Sequence, residues 1–207
     1  MRSRAGSALA ISAAAYLIGA VPVAQIIARL RRGADLRQIG TGTVSAGALL
    51  AVSGSGTVVT AGALDVAKGM AGAVLARRAR RPLPAALAAG ATIAGHNWSP
   101  FLRGAGGRGF APAVGALAVL APEGAAVLLA GVAVGRAATG DSAIGAFAAY
   151  AVLPFVLYRT RGRAGLLTAM AVLVPMLGKR LAGNRRAHDA DVYLWRLLYD
   201  RDQRPRS

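Results

Sequence analysis

Residues 96–109 read HNWSPFLRGAGGRG, and they interrupt two apolar runs at about 83–101 and 109–121. The stretch holds an imidazole, an amide, a hydroxyl, two guanidinium groups and four glycines. So polar a segment between hydrophobic helices reads as a site, with a flexible connector as the plain alternative. Gly104, Gly106, Gly107 and Gly109 let the chain take positive φ and approach a ligand closely, so that backbone N–H groups can converge on an anion. Arg108 adds a fork of donors suited to the same oxygens. The chain turns apolar again at Phe110, which places the loop at a helix N-terminus, where partial positive charge favours an anion.

Outward from this loop, the chain is too apolar for an ordinary soluble domain. Of 207 residues 55% are hydrophobic, the mean hydropathy is +0.48, and the apolar residues fall in blocks of about membrane-spanning length. Seven segments can be placed, at 7–29, 55–76, 83–101, 109–121, 123–136, 141–158 and 164–181. The predicted class is therefore all-α, a polytopic integral membrane helical bundle of about seven transmembrane helices. Two segments, flanking Pro122 and Glu123, are shorter than the ~20 residues a straight crossing needs, so one bent span and a count of six compete. Alanine and glycine dominate the segments and allow close helix approach. The basic start and apolar run of the first segment resemble a signal peptide, but the run continues through Ile26 and Ile27, which favours a retained helix.

Charge and cysteine content exclude several function classes. There is no cysteine, and the two histidines, His96 and His188, lie far apart without an acidic cluster, so no metal site is expected. The net charge of +17 comes from arginines grouped between apolar spans and near the C-terminus, with few aromatics to stack on bases. Membrane headgroups account for it better than nucleic acid. With seven spans, the first, third and fifth loops and the tail share a face that carries fifteen basic residues against nine opposite, a bias toward a cytoplasmic C-terminus that rests on the tail. The predicted division is a membrane domain over 1–183 and a basic cytoplasmic tail over 184–207. In that tail Val192–Tyr199 reads as an amphipathic piece suited to the membrane interface, and His188 as a solvated residue.

A second glycine- and hydroxyl-rich run, GTGTVSAG at residues 40–47, follows Asp35 and Arg37. It lies in the loop predicted to share a face with residues 96–109, so the two loops are expected to meet. Thr41, Gly42, Thr43 and Ser45, with Ser142 at the start of the sixth segment, are candidates to hold phosphate oxygens, although caps would look the same. Within the second segment Asp65 and Lys68 share one helical face and can pair, either to pin helices or to serve the site. Glu123 and Asp141 read as turn and cap residues.

The runs YLIGAVPVAQIIARL, DLRQIGTG, DVAKG and GHNWSPFLRGAGGRG resemble, in the same order, the bacterial acyl-phosphate:glycerol-3-phosphate acyltransferases of the PlsY type. The resemblance runs from about Tyr16 to Gly183. It implies an integral membrane enzyme of phospholipid biosynthesis, in the bacterial cell membrane with its active site on the cytoplasmic face. The implied reaction moves a fatty acyl group from acyl phosphate to the 1-hydroxyl of glycerol 3-phosphate, without metal, coenzyme A or other cofactor. It places glycerol phosphate on Gly104, Gly106, Gly107 and Gly109, and gives Arg37 and Thr41 roles in activity. Thr41 stands where the family has serine, and the first motif's asparagines are absent. Leu173, Val174 and Met176 occupy the positions of a third-motif histidine, arginine and asparagine.

Acyl phosphate is already activated, so transfer needs positioning and charge neutralisation more than a strong nucleophile. The expected catalytic set is His96, Thr41 and Arg37. The expected substrate-binding set is Gly42, Thr43, Ser45, Lys68, Gly104, Gly106, Gly107, Arg108, Gly109 and Ser142. His96 is either a base, because its pKa lies near working pH, or a residue that orders the turn. The leaving phosphate can itself take the hydroxyl proton. Two other readings stay open: a paralogue that keeps a phosphate or lipid headgroup site but has lost transfer, and a small transporter, against which the absence of an inverted repeat counts.

Overall fold

Pro22 divides the first hydrophobic segment, because it has no N–H to donate and its ring clashes with the preceding turn. In the computed structural model, which describes residues 2–185, 187 and 189–202, α1 (Arg2–Ala20) ends there and α2 (Val23–Arg32) begins. The carbonyls freed at the break are satisfied from other segments: Ser99 Oγ, in the loop after residue 97, donates to Ala20 O at 2.6 Å and Lys68 Nζ donates to Val21 O at 2.9 Å. Irregular backbone inside an apolar bundle persists only with such partners.

The remaining elements follow the apolar pattern. They are α3 (Ala46–Ser53), α4 (Ser55–Arg77), α5 (Pro82–Asn97), α6 (Phe110–Leu120), α7 (Pro122–Thr139), α8 (Ser142–Ala182) and α9 (Asp191–Tyr199). Among the described residues there is no strand. Gly162, at φ 59°, ψ −143°, folds α8 into two arms, 142–161 and 163–182, which run antiparallel, so that Arg180 Nη2 reaches Ala143 O at 3.1 Å. Three stretches are long and apolar enough to cross a membrane, Gly6–Arg32, Ser55–Arg77 and Ser142–Ala182. The predicted break at Pro122 is present, and it separates two helices instead of bending one. At about 1.5 Å per residue, the 11 residues of α6 are too few for a straight crossing.

Glycines set the helix spacings. A Cβ on Gly69 would lie 2.1 Å from Pro112 O, and one on Gly115 would lie 2.0 Å from Val66 O, so α4 and α6 touch backbone to backbone. Gly131 and Gly135 on α7 pack in the same way against Gly145. Pairing of 66–69 with 112–115 has a consequence for the loop before α6: it returns into the bundle about half-way along α4. The main core lies beyond it, around Ile93, Leu117, Leu128, Leu153, Leu157 and Met176.

The tail is not detached. Arg196, buried to 1% exposure, donates to Leu181 O, Ala182 O and Arg185 O at 3.1, 2.9 and 2.7 Å. A guanidinium thereby satisfies the last-turn carbonyls of α8 and complements its negative end. Tyr193 and Leu194 face outward, while His188 lies outside the described residues.

Candidate active site

The loop that follows α5 is held by its own backbone and by α1. Gly104 N–H donates to Ser99 O at 2.9 Å and Gly107 N–H donates to His96 O at 3.1 Å. Tyr16 Oη donates to Trp98 O at 2.5 Å. Positive φ occurs at Gly104 (81°) and Gly109 (79°). Gly106 and Gly107 are required for space instead: a Cβ at 106 would meet His96 O at 2.3 Å, and one at 107 would meet His96 Nε2 at 2.1 Å. Because the N–H groups of Gly104 and Gly107 are engaged inside the loop, they do not form the expected anion cradle.

The other glycine loop lies directly against this one. Val44 N–H donates to Gly106 O at 3.1 Å, and Asn184 Nδ2 donates to both Gly42 O (3.1 Å) and Gly106 O (2.9 Å). Arg108 Nη2 donates to Thr43 Oγ1 at 3.3 Å, and Thr41 Oγ1 donates to the same oxygen at 3.0 Å. The two loops and the tail thus meet at one end of the bundle.

A cavity of about 550 Å³ opens where they join. Three helix N-termini border it: Ser45–Gly47 of α3, Gly109–Ala111 at α6, and Ser142–Ala143 of α8. Their dipoles favour negative charge, although Ser45 Oγ already accepts from Ala48 N–H and Asp141 Oδ1 from Ala143 N–H. Arg108 and Arg180 also line it, with side-chain exposures of 11% and 4%. Arg180 is fixed by donation to Arg196 O and Leu198 O at 2.8 and 3.2 Å, and it stacks over Phe147 and Tyr150. Such a surface suits a phosphate or another compact anion.

Of the expected residues, Ser45, His96, Gly107, Arg108, Gly109 and Ser142 face the cavity. Thr41, Gly42, Thr43, Gly104 and Gly106 do not line it but form the joined loops around it. Lys68 is engaged elsewhere, 2.9 Å from Asp65 Oδ1 and donating to Val21 O, so it braces the Pro22 break. Asp65 itself does line the cavity, with Oδ1 3.7 Å from His96 Nδ1. Arg37 makes a bidentate pair with its neighbour Asp35, Nη2 lying 2.5 Å from Oδ2, and does not reach the cavity. Its hydrogen bonds hold the Asp35 carboxyl well below the usual carboxylate range. Leu173 and Met176 are in the main core, so their lack of polarity follows from their position.

Arg180, Asn184 and Asp200 were not legible as site residues. Arg180 follows Lys179 at the end of an apolar segment, where basic residues are common flanks. Asp200 stands beyond α9, yet its Oδ1 lies 2.5 Å from Arg108 Nη1 and 3.9 Å from Arg180 Nε. Burial pushes its carboxyl above the usual range, while Arg108 and Arg180 pull the other way.

Known proteins resemble this chain in sequence and in fold. A family model described as glycerol-3-phosphate acyltransferase matches residues 9–184. Glycerol-3-phosphate acyltransferase 5 of Dehalococcoides mccartyi is 34% identical, covering 94% of this chain and 88% of its own. Glycerol-3-phosphate acyltransferase 1 of Deinococcus radiodurans is 36% identical over 77% of this chain and 82% of its own. The crystal structure of PlsY, an integral membrane glycerol 3-phosphate acyltransferase, superposes in its glycerol 3-phosphate form with a TM-score of 0.76 at 24% identity, over 84% of this chain and 88% of that one. Its lysophosphatidic acid form gives 0.73 at 23% identity. An all-helical membrane bundle with two joined glycine loops, matched by this family along most of its length, belongs to the glycerol-3-phosphate acyltransferases.

Proposed function

We propose that the protein transfers a fatty acyl group from acyl phosphate to the 1-hydroxyl of glycerol 3-phosphate, forming lysophosphatidate. The observation that carries this reading is the cavity at the joined loops, where three helix N-termini and two buried guanidiniums converge. Acyl phosphate and glycerol phosphate are both anions, and two anions brought together need this concentration of positive potential. Arg108 and Arg180 hold phosphate, and Ser45 and Ser142 offer hydroxyls at the rim. In the transfer, the glycerol O1 bonds to the acyl carbon, the bond from that carbon to the phosphate oxygen breaks, and phosphate leaves with the hydroxyl proton.

His96 acts by position. Its Nε2 abuts Gly107 and its carbonyl holds the Gly107 N–H, so the imidazole shapes the loop that presents Arg108. Thr41 and Thr43 steady the Arg108 guanidinium from the other loop. The site end faces the cytoplasm, a placement favoured by the fifteen-to-nine excess of basic residues there and by two phosphorylated substrates that do not cross membranes.

Purified protein given acyl phosphate and glycerol 3-phosphate yields lysophosphatidate, and Gly107→Leu, whose side chain would displace His96, yields none. Absence of product above that variant excludes acyl transfer, and retained glycerol 3-phosphate binding would then identify a non-catalytic paralogue. Loss of a general base costs about 10²–10⁴-fold in rate, so His96→Gln falls by less than about 10²-fold if the imidazole only positions. A larger fall with unchanged KM assigns it the proton. Because the natural chain has no cysteine, single cysteines report sidedness: in intact cells an impermeant thiol reagent labels Arg78→Cys and spares Gln38→Cys. The opposite pattern refutes the orientation.

A further inference from the structure

The chain itself places an anionic group in the cavity, between Arg108 and Arg180. Asp200 follows α9, and its backbone takes the left-handed conformation at φ 57°, which only a few per cent of non-glycine residues adopt. That conformation turns its carboxylate toward Arg108 and Arg180, with Oδ1 at 2.5 Å and 3.9 Å from their nitrogens. The fit is incomplete. Among the described residues Arg108 Nε is buried without a hydrogen-bond acceptor, and Asp200 Oδ1, close as it lies, makes no aligned hydrogen bond. One carboxylate leaves donors unused that the three oxygens of a phosphate would take up.

The segment that delivers Asp200 is anchored beside the site. Arg196 fastens α9 to the last turn of α8, and a Cβ on Gly183 would lie 2.6 Å from its Cζ, so glycine is needed for that seat. Arg180, which lines the cavity, donates to two α9 carbonyls. One guanidinium therefore touches both the anion subsite and the tail. Helix α9 and Asp200 lie past residue 184, where the family match ends.

We propose that Asp200 is a tethered counter-anion: its carboxylate occupies the phosphate subsite between Arg108 and Arg180 in the free protein and is displaced by the phosphate group of an incoming substrate. The proposal rests on the reading of this cavity as a phosphate site. The tail carboxylate competes at the high local concentration its tether gives and thereby sets the apparent affinity. A subsite occupied nine-tenths of the time by its own carboxylate weakens apparent binding about tenfold.

Calorimetric titration of full-length protein in detergent with glycerol 3-phosphate tests this, together with KM for each substrate. Asp200→Asn tightens glycerol 3-phosphate binding several-fold, toward that limit, with kcat within about twofold. Asp189→Asn, which removes the same charge elsewhere in the tail, leaves binding unchanged. Unchanged or weaker glycerol 3-phosphate binding by Asp200→Asn together with an unchanged KM for acyl phosphate overturns the proposal, as does an equal gain in Asp189→Asn, which would indicate a general charge effect. A gain confined to the KM of acyl phosphate supports the tethered anion and assigns the subsite to the donor phosphate. If Asp200→Asn does not purify folded, Asp200→Ser answers the same question. Tighter binding in a protein that makes no product would sink acyl transfer and keep the tethered anion, whereas product formation with the affinity for both substrates unchanged would do the reverse.

Discussion

Backbone carbonyls and N–H groups released inside an apolar bundle must find partners, since lipid offers none, and this constraint builds the site. Pro22 frees two carbonyls, which Ser99 and Lys68 occupy. The same Ser99 begins the returning loop and the same Lys68 pairs with Asp65, so repair of one break places the loop and the cavity wall together. Gly42 and Gly106, in separate loops, present carbonyls that converge on one amide, Asn184 Nδ2. Gly106 O also accepts from Val44 N–H, whereas Gly42 O, among the described residues, relies on the amide, and a buried acceptor left unsatisfied costs about 1–3 kcal/mol.

Electrostatics follows from the same geometry. Loops that turn back at mid-bundle begin helices there, and three N-termini face one space. Arg108 and Arg180 add full charges, held by carbonyls and aromatic rings so that little reorganisation is needed when an anion arrives. Three guanidiniums, of Arg108, Arg180 and Arg201, and three carboxylates, of Asp65, Asp141 and Asp200, line the same cavity, and Arg201 is paired with Asp141.

Much of the fold was legible because hydrophobic segment length is a strong signal: seven segments were predicted, and the breaks at Pro122 and near Gly162 fall between them. The meeting of the two glycine loops was also readable, from the parity of spans and the similarity of the runs. Less readable was what each glycine does. Gly106 and Gly107 give room to His96 instead of adopting positive φ, which depends on a neighbour's position and not on local sequence. Arg37 and Lys68 were expected at the substrate, but each has a carboxylate a few residues away that captures it. Arg180 and Asp200 gave no signal because their partners are 72 and 92 residues distant at Arg108, a separation no local pattern spans.

We propose that the two glycine loops act as a single anion-binding unit. Asn184 is the side chain that bonds both, and it lies outside the cavity lining. Glycerol 3-phosphate binding by Asn184→Leu, measured by calorimetry on protein whose helical content is verified, tests the claim most directly. Binding weakened about tenfold, or about 1.4 kcal/mol, is expected if the loops must be joined to hold the anion. Binding equal to that of the natural chain would show that the loops hold substrate independently and would contradict the claim.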